Sequence, residues 1–339
     1  MKKLFNLIVI FFITCNIYSQ TNLKAGYVYL NKLNPFNSWT YQHEMSRIAL
    51  LESGLVSDAI YVEVPESGDS EKTRNAIDSL IKQGCKIIFS TSYDFMDETL
   101  EMAEKNPEII FMHCSGDKTT KNLGTYMGRM YEADFISGMM AAMVSKSGNI
   151  GYTAPVKIPE VYRGINAFYS GAKSINEKIK MTVKFVGEWK NSPVERRVTA
   201  EIISAGADVI AHGMDSPVPC QVAEEMGIPT FGYNSDQSDF AKKNIVTSSV
   251  WNWDVFVLSS VSQVLAGNWK SESLWWGFDK KGVDVTKVYN YSDKIDMKKI
   301  IDMKRKMIED KGVLMGGKIY SDEDLLNMNF LLEGITEIE

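Results

Sequence analysis

Four apolar segments of this 339-residue chain each end in a cluster of aromatic, carboxylate or amide side chains. The clusters occupy residues 37–43, 188–189, 212–217 and 233–236. Each apolar run is typical of a buried β-strand, and ligands of open parallel α/β sheets bind beyond the carboxyl ends of the strands. We therefore expect the four clusters to meet at one cleft. Tryptophans beside carboxylates suit a flat heterocycle that donates hydrogen bonds, and no cluster combines a nucleophile with its base.

Two tryptophans are the candidates for stacking on such a ring. Trp39 opens a predicted helix just after the first strand, and Trp189 ends a strand in the second half of the chain. A base that stacks on an aromatic side chain gains about 1–3 kcal/mol. The alternative is that each tryptophan packs in the core of its own half. We expect the stacking role for both, with one ring on each face of the ligand.

Three polar residues are further candidates for the walls of the cleft. Asp215 and Asp236 each follow a predicted strand, and their carboxylates can accept hydrogen bonds from ring or exocyclic N–H groups. Both aspartates can instead cap the following segment, a use that needs no ligand. Tyr93 follows the third predicted strand, where it lines the pocket or packs within a turn.

Two arginines stand three residues from a glutamate on predicted helices. Arg129 precedes Glu132, and Arg163 follows Glu160. We interpret both as ion-paired surface groups, each pair contributing about 0.2–1 kcal/mol. No Gly-rich phosphate loop accompanies them, which disfavours a phosphate ligand. The three histidines lie in separate segments without zinc spacing, so we expect neither a metal nor another cofactor.

The segments that must position these residues alternate between strand and helix from residue 24 to about 265. This alternation is the pattern of βαβ units on a parallel sheet. A second series of units begins near residue 149 and repeats the architecture of the first without repeating its sequence. The pattern predicts an α/β fold of two Rossmann-like lobes with parallel sheets, joined by a hinge that the chain crosses more than once.

The predicted lobes are discontinuous in sequence. We assign residues 21–128 plus about 251–291 to the N-terminal lobe, and about 129–250 plus 292–339 to the C-terminal lobe. The small residues Gly138, Ala141 and Ala142 predict a close helix contact in the second lobe.

The first 19 residues have the pattern of a secretory signal peptide, with two lysines before an apolar stretch. Cleavage after Ser19 is the expectation, and lipidation at Cys15 is the alternative. The protein is then exported, either free in the periplasm or anchored to the cell envelope by lipid. Its formal net charge of −6 argues against a nucleic-acid partner, which needs a basic face.

Five motifs together resemble those of the basic membrane protein (BMP) family. They are residues 39–43 (WTYQH), 126–133 (YMGRMYEA), 158–168 (IPEVYRGINAF), 215–217 (DSP) and 232–238 (GYNSDQS). The resemblance covers nearly the whole chain after residue 20. It implies a substrate-binding protein of an ABC transporter, with the type I periplasmic binding fold and a permease as partner. Trp39 in the first loop resembles the purine-base branch of the family.

The resemblance implies a binding protein rather than an enzyme, acting as a monomer on a purine such as adenine, guanine or hypoxanthine. The sequence departs from the family at two places. Residues 34–37 (NPFN) replace a Gly/Asp-rich turn, and Asn234 stands where a small residue is frequent. Asn234 therefore adds a donor and an acceptor to the predicted pocket.

Other functions remain open from the residues alone. A nucleoside or a sugar is an alternative ligand, because a tryptophan also packs well against a pyranose. A nucleosidase-like hydrolase would use Asp215 or Asp236 to activate water. A sensor domain is a further alternative, for which the sequence shows neither a DNA-binding module nor a transmembrane segment.

Overall fold

The computed structural model describes residues 22–65 and 68–339, which form two α/β lobes. The predicted signal peptide and Cys15 lie outside the described residues. In chain order the strands are β1 Lys24–Leu30, β2 Asp58–Val64, β3 Ile87–Ser90, β4 Ile110–Cys114, β5 Leu123–Gly128, β6 Asn149–Ala154, β7 Lys180–Phe185, β8 Val209–His212, β9 Thr230–Gly232, β10 Ile245–Trp251, β11 Ser273–Trp276, β12 Val283–Val285, β13 Leu314–Met315, β14 Lys318–Ile319 and β15 Ile335–Glu337.

Ten α-helices lie among the described residues, and none of them has the combined length and apolar character that a bilayer-spanning helix requires. They are α1 Ser38–Glu52, α2 Ser70–Lys82, α3 Met96–Lys105, α4 Met130–Val144, α5 Pro159–Ile175, α6 Ser192–Ser204, α7 Val218–Glu225, α8 Trp253–Leu265, α9 Met297–Asp310 and α10 Asp322–Leu326.

The first lobe contains a six-stranded sheet in the order β2-β1-β3-β4-β5-β11, with every neighbouring pair parallel. Its central strands are buried on both faces, as parallel sheets covered by helices require. Helix α2 shows how the sequence builds the cover. Its buried residues Thr73, Ala76, Ile77 and Leu80 recur at helical spacing, and the Asp69 side chain caps its first turn.

The second lobe contains a seven-stranded sheet in the order β15-β7-β6-β8-β9-β10-β12, parallel except for the β10–β12 pair. Helices α4 and α5 pack closely against each other in this lobe. A Cβ atom on Gly138 would lie 1.9 Å from the carbonyl oxygen of Phe168, and one on Gly171 would lie 1.9 Å from that of Phe135. The predicted close helix contact is therefore confirmed, and only glycine permits it.

Within the described residues, the chain crosses between the lobes three times, after β5, after β10 and after β11. The crossings pack against one another. A Cβ on Gly128 would lie 2.7 Å from the ring of Trp251, and one on Gly277 would lie 2.3 Å from the carboxylate of Glu132. The α/β fold and the repeated crossing that the sequence predicts are confirmed.

One predicted lobe boundary is wrong. The sequence pattern places about residues 251–291 in the N-terminal lobe, but β12 forms an edge of the second sheet, antiparallel to β10. Only α8, which packs on α1, and β11, which pairs with β5, belong to the first lobe. The chain returns within residues 277–282, and a strand-like pattern does not reveal which of two sheets a short strand joins.

Candidate ligand-binding site

A cavity of about 540 Å³ lies between the lobes, beyond the carboxyl ends of their strands. The first lobe contributes residues that follow β1, β3 and β4, and the second contributes residues that follow β6, β7, β8 and β9. The lining residues are Leu30, Trp39, Ser92, Tyr93, Asp94, Ser115, Ile158, Pro159, Glu160, Arg163, Trp189, Asp215, Tyr233, Asn234 and Leu326. The volume lies within the range of small-molecule sites.

Trp39 lies in the first turn of α1 and is half-buried. Its indole N–H donates to the carbonyl oxygen of Thr91 at 2.7 Å. Its ring makes edge-to-face contacts with Trp251 and Trp253, at centroid distances of 5.8 and 5.5 Å. Trp39 therefore packs in an aromatic cluster at the crossing after β10 and lines the cavity at the same time, so the two interpretations of this residue are compatible.

Trp189 lies in the loop between β7 and α6, on the opposite lobe, and is also half-buried. In the part of the chain that the structure describes, its ring contacts no other aromatic ring and its indole N–H has no hydrogen-bond partner. The backbone carbonyl of Trp189 accepts from the amide of Asp215 at 3.0 Å, which ties the two loops together. Trp189 packs in part against the hydrophobic core and also lines the cavity.

Asn234 is fully buried and adopts a left-handed backbone conformation with φ of 68°, which Asn tolerates better than most residues. Its side-chain N–H groups donate to the Asp215 carboxylate at 2.9 Å and to the Ser38 hydroxyl at 3.2 Å. Its side-chain oxygen accepts from the indole of Trp251 at 2.8 Å. Because both ends of the amide are engaged, Asn234 fixes the position of the Asp215 carboxylate.

Asp215 does not cap the helix that follows it. Helix α7 begins after Pro217 without a side-chain cap, so the capping alternative is excluded. Burial raises the pKa of Asp215 to about 7, although the hydrogen bond from Asn234 acts in the opposite direction and lowers it. The backbone carbonyl of Asp215 accepts from the amide and the hydroxyl of Ser38, at 2.9 and 2.8 Å. These two bonds join the lobes directly beside the cavity.

The remaining two predicted site residues lie in different surroundings. Tyr93, in a short 3-10 turn after β3, lines the cavity and is 59% exposed. Asp236 is exposed and does not line the cavity. Its carboxylate accepts from the amide of Ser238 at 3.0 Å and from the hydroxyl of Tyr289, which holds it on the outer surface. The structure thus brings five of the six predicted residues together and leaves Asp236 apart.

Arg163 and Glu160 are lining residues that the sequence analysis missed. Both lie in the first turns of α5, beyond the carboxyl end of β6. The interpretation of Arg163 as an ion-paired surface group is wrong: its exposed fraction is 8%, and among the described residues no carboxylate lies within 4.0 Å of it. Pro159 could have indicated them in the sequence. A proline favours the first turn of a helix, and a helix that begins soon after a strand places its first turns at the sheet edge.

The predicted pairing of Arg129 with Glu132 is also wrong. Arg129 makes two hydrogen bonds of 2.7 Å to the Asp322 carboxylate rather than pairing with Glu132. Glu132 is buried beside the crossing after β11 and accepts from the amide of Phe278 at 2.7 Å. Burial raises the pKa of Glu132 to about 7. Asp322 begins α10, the helix whose Leu326 lines the cavity.

A protein-family model described as "ABC transporter substrate-binding protein PnrA-like" matches residues 25–316. The chain belongs to the Bmp family. A purine-binding protein of Brucella abortus is 33% identical to this Bmp-family chain over 337 residues, which cover 94% of this chain and 95% of the relative. A provisionally named ABC transporter glucose-binding protein of Haloferax volcanii is 32% identical over 257 residues, covering 76% of this chain and 65% of that protein.

The fold of this Bmp-family chain is also found among solved structures. An ABC transporter solute-binding protein of Conexibacter woesei superposes with a TM-score of 0.73 at 14% identity, covering 85% of this chain and 97% of its own. The predicted type I periplasmic binding fold and family are therefore confirmed. As a Bmp-family member, the chain is a substrate-binding protein of an ABC transporter, with a small-molecule ligand and a permease as its partners.

Proposed function

We propose that this protein captures a purine base, such as adenine, guanine or hypoxanthine, between its lobes and delivers it unchanged to its permease. The observation that carries the proposal is the pairing of Trp39 and Trp189. These half-buried rings stand on opposite lobes and line one cavity together with the carboxylate of Asp215.

The residues of the cavity supply what a purine requires. Stacking on an aromatic ring is worth about 1–3 kcal/mol per base. A hydrogen bond from a ring N–H to a charged acceptor such as Asp215 is worth about 1.5–3 kcal/mol. Asn234 holds that carboxylate in place before the ligand arrives, so little of the binding energy is lost in ordering it. Similarity to the Brucella protein that is named purine-binding supports the same ligand class.

A sugar is the second candidate ligand. The Haloferax relative is named as glucose-binding, and a half-buried tryptophan such as Trp189 can pack against the apolar face of a pyranose. Sugar hydroxyls would also donate to the Asp215 carboxylate. A glucose ring also exposes axial C–H groups on both faces, but the ring is puckered, whereas a purine is flat and can stack fully on both Trp39 and Trp189.

Calorimetry on the chain without residues 1–19 tests the proposal. The panel comprises adenine, guanine, hypoxanthine, their nucleosides and glucose, and each mixture is then separated chromatographically. The proposal expects a base to bind most tightly and to be recovered unchanged. Tightest binding of glucose would favour the second candidate, and release of a base from a nucleoside would support the nucleosidase-like hydrolase.

We further propose that the protein is exported and acts as a monomer. Mass spectrometry of protein purified from the cell envelope tests the export route. Cleavage after Ser19 gives a polypeptide that begins at Gln20, whereas lipidation gives a heavier species that begins at Cys15.

A further inference from the structure

Arg163 is a buried cation on the wall of the ligand cavity. Its exposed fraction is 8%, and no carboxylate lies within 4.0 Å of its guanidinium among the described residues. The described residues also supply no hydrogen-bond acceptor to it. Its guanidinium carbon lies over the ring of Trp275, 5.4 Å from the ring centroid. A guanidinium carries five N–H donors. The Arg163 nitrogens are not among the fully buried, unpaired polar atoms of the described residues, so these donors remain accessible from the cavity that Arg163 lines.

The cavity therefore offers two kinds of recognition. Arg163 supplies only donors, whereas the carboxylates of Asp215 and Glu160 supply acceptors. A ligand that satisfies this wall must present acceptors on one edge and N–H donors on another. The burial of Arg163 lowers its pKa, and burial of Glu160 raises the pKa of that carboxyl, because burial disfavours the charged form of each group. A ligand acceptor beside Arg163 and a ligand donor beside Glu160 would stabilise those charged forms.

The common purines differ in the hydrogen-bond donors and acceptors on their edges. In a 6-oxopurine such as guanine or hypoxanthine, O6 and N7 are adjacent acceptors, and N1 carries a hydrogen. Adenine presents an amino group beside N7, and its N1 is an acceptor. Arginine makes paired hydrogen bonds to O6 and N7, whereas glutamine makes them to the amino group and N7 of adenine.

We infer that Arg163 binds the O6 and N7 atoms of a 6-oxopurine, so that the protein prefers hypoxanthine and guanine to adenine. The inference rests on the proposed capture of a purine. In this arrangement N1–H donates to one of the facing carboxylates. Adenine would instead place its amino group against the guanidinium donors and its N1 lone pair towards a carboxylate.

Calorimetry with hypoxanthine and adenine tests the inference on the wild-type chain and on Arg163→Gln. The wild type should bind hypoxanthine about 5- to 150-fold more tightly than adenine, the discrimination expected of one paired contact. Arg163→Gln should abolish or reverse that ratio. Arg196→Gln is the matched control, because Arg196 lies on α6 of the same lobe, pairs with Glu225 on the surface and does not line the cavity, and it should leave the ratio unchanged.

A measurement on the ligand side needs no variant. Replacing N7 by a C–H group in 7-deazahypoxanthine removes one of the two acceptors and should weaken binding to the wild type by about tenfold. Equal affinities for hypoxanthine and adenine, or for hypoxanthine and its 7-deaza analogue, would overturn the role of Arg163 and leave purine capture intact. Binding of none of these bases would instead contradict the proposed function itself.

Discussion

Replacement of Trp189 by alanine should weaken the binding of hypoxanthine without unfolding the protein. Stacking on one aromatic ring contributes about 1–3 kcal/mol, which corresponds to an increase in Kd of about 5- to 150-fold. The structure indicates why the effect should fall on binding. Trp189 is half-buried and lines the cavity, and it packs only at the edge of the hydrophobic core. Among the described residues its ring meets no other aromatic side chain and its indole N–H makes no hydrogen bond.

The matched variant is Trp189→Phe, which keeps an aromatic face and should retain most of the affinity. Trp39→Ala is less informative, because Trp39 also packs against Trp251 and Trp253, and its loss can cost up to about 3–5 kcal/mol of stability. Calorimetry gives the Kd of each variant, and thermal denaturation shows whether it folds. An unchanged Kd in folded Trp189→Ala would refute the stacking of the ligand on this ring.

Four further predictions concern the carboxylate and the hinge. Burial raises the pKa of Asp215 to about 7, so protonation below pH 7 removes the charged acceptor, and hypoxanthine should bind up to about tenfold more weakly per pH unit. In calorimetry, Asp215→Asn should bind hypoxanthine more weakly, and its Kd should depend less on pH. Without ligand, the effect of low pH on stability is the opposite, because the folded state holds the Asp215 proton more tightly than the unfolded state does. The melting temperature of the wild type should therefore rise relative to that of Asp215→Asn as pH falls from 8 to 6. Parallel melting curves would contradict the raised pKa. Asn234→Ala should weaken hypoxanthine binding by about tenfold, because it releases the Asp215 carboxylate, and unchanged affinity would exclude that positioning role. Small-angle scattering should give a smaller radius of gyration with saturating hypoxanthine, whereas an identical profile with binding confirmed would mean a preformed pocket.

The sequence predicted the elements because apolar runs and stop signals agreed along the chain. The alternation of strand and helix that the sequence predicts from residue 24 to about 265 is present from β1 to α8. Gly84, with φ of 88°, follows α2 and supplies one such stop. The convergence of Trp39, Trp189 and Asp215 followed from one rule, that loops at the carboxyl ends of parallel strands share an edge.

Residues whose surroundings depend on tertiary packing were not predictable in this way. A glutamate and an arginine three residues apart on a helix resemble a solvated pair, and only the packing of α5 shows that Arg163 is buried. Leu326 lines the cavity because the Arg129–Asp322 ion pair holds α10 there, a contact between residues 193 positions apart. The sequence pattern places the edge strand β12 in the wrong lobe for the same reason, because the sequence of a short strand does not indicate which strand it pairs with.

The binding of a purine between the lobes is tested most directly by a crystal structure of the protein grown with hypoxanthine. We predict one purine ring between the indoles of Trp39 and Trp189, with an N–H group within hydrogen-bond distance of the Asp215 carboxylate. Density for hypoxanthine outside this cavity, or a ring held by one lobe alone, would contradict the account.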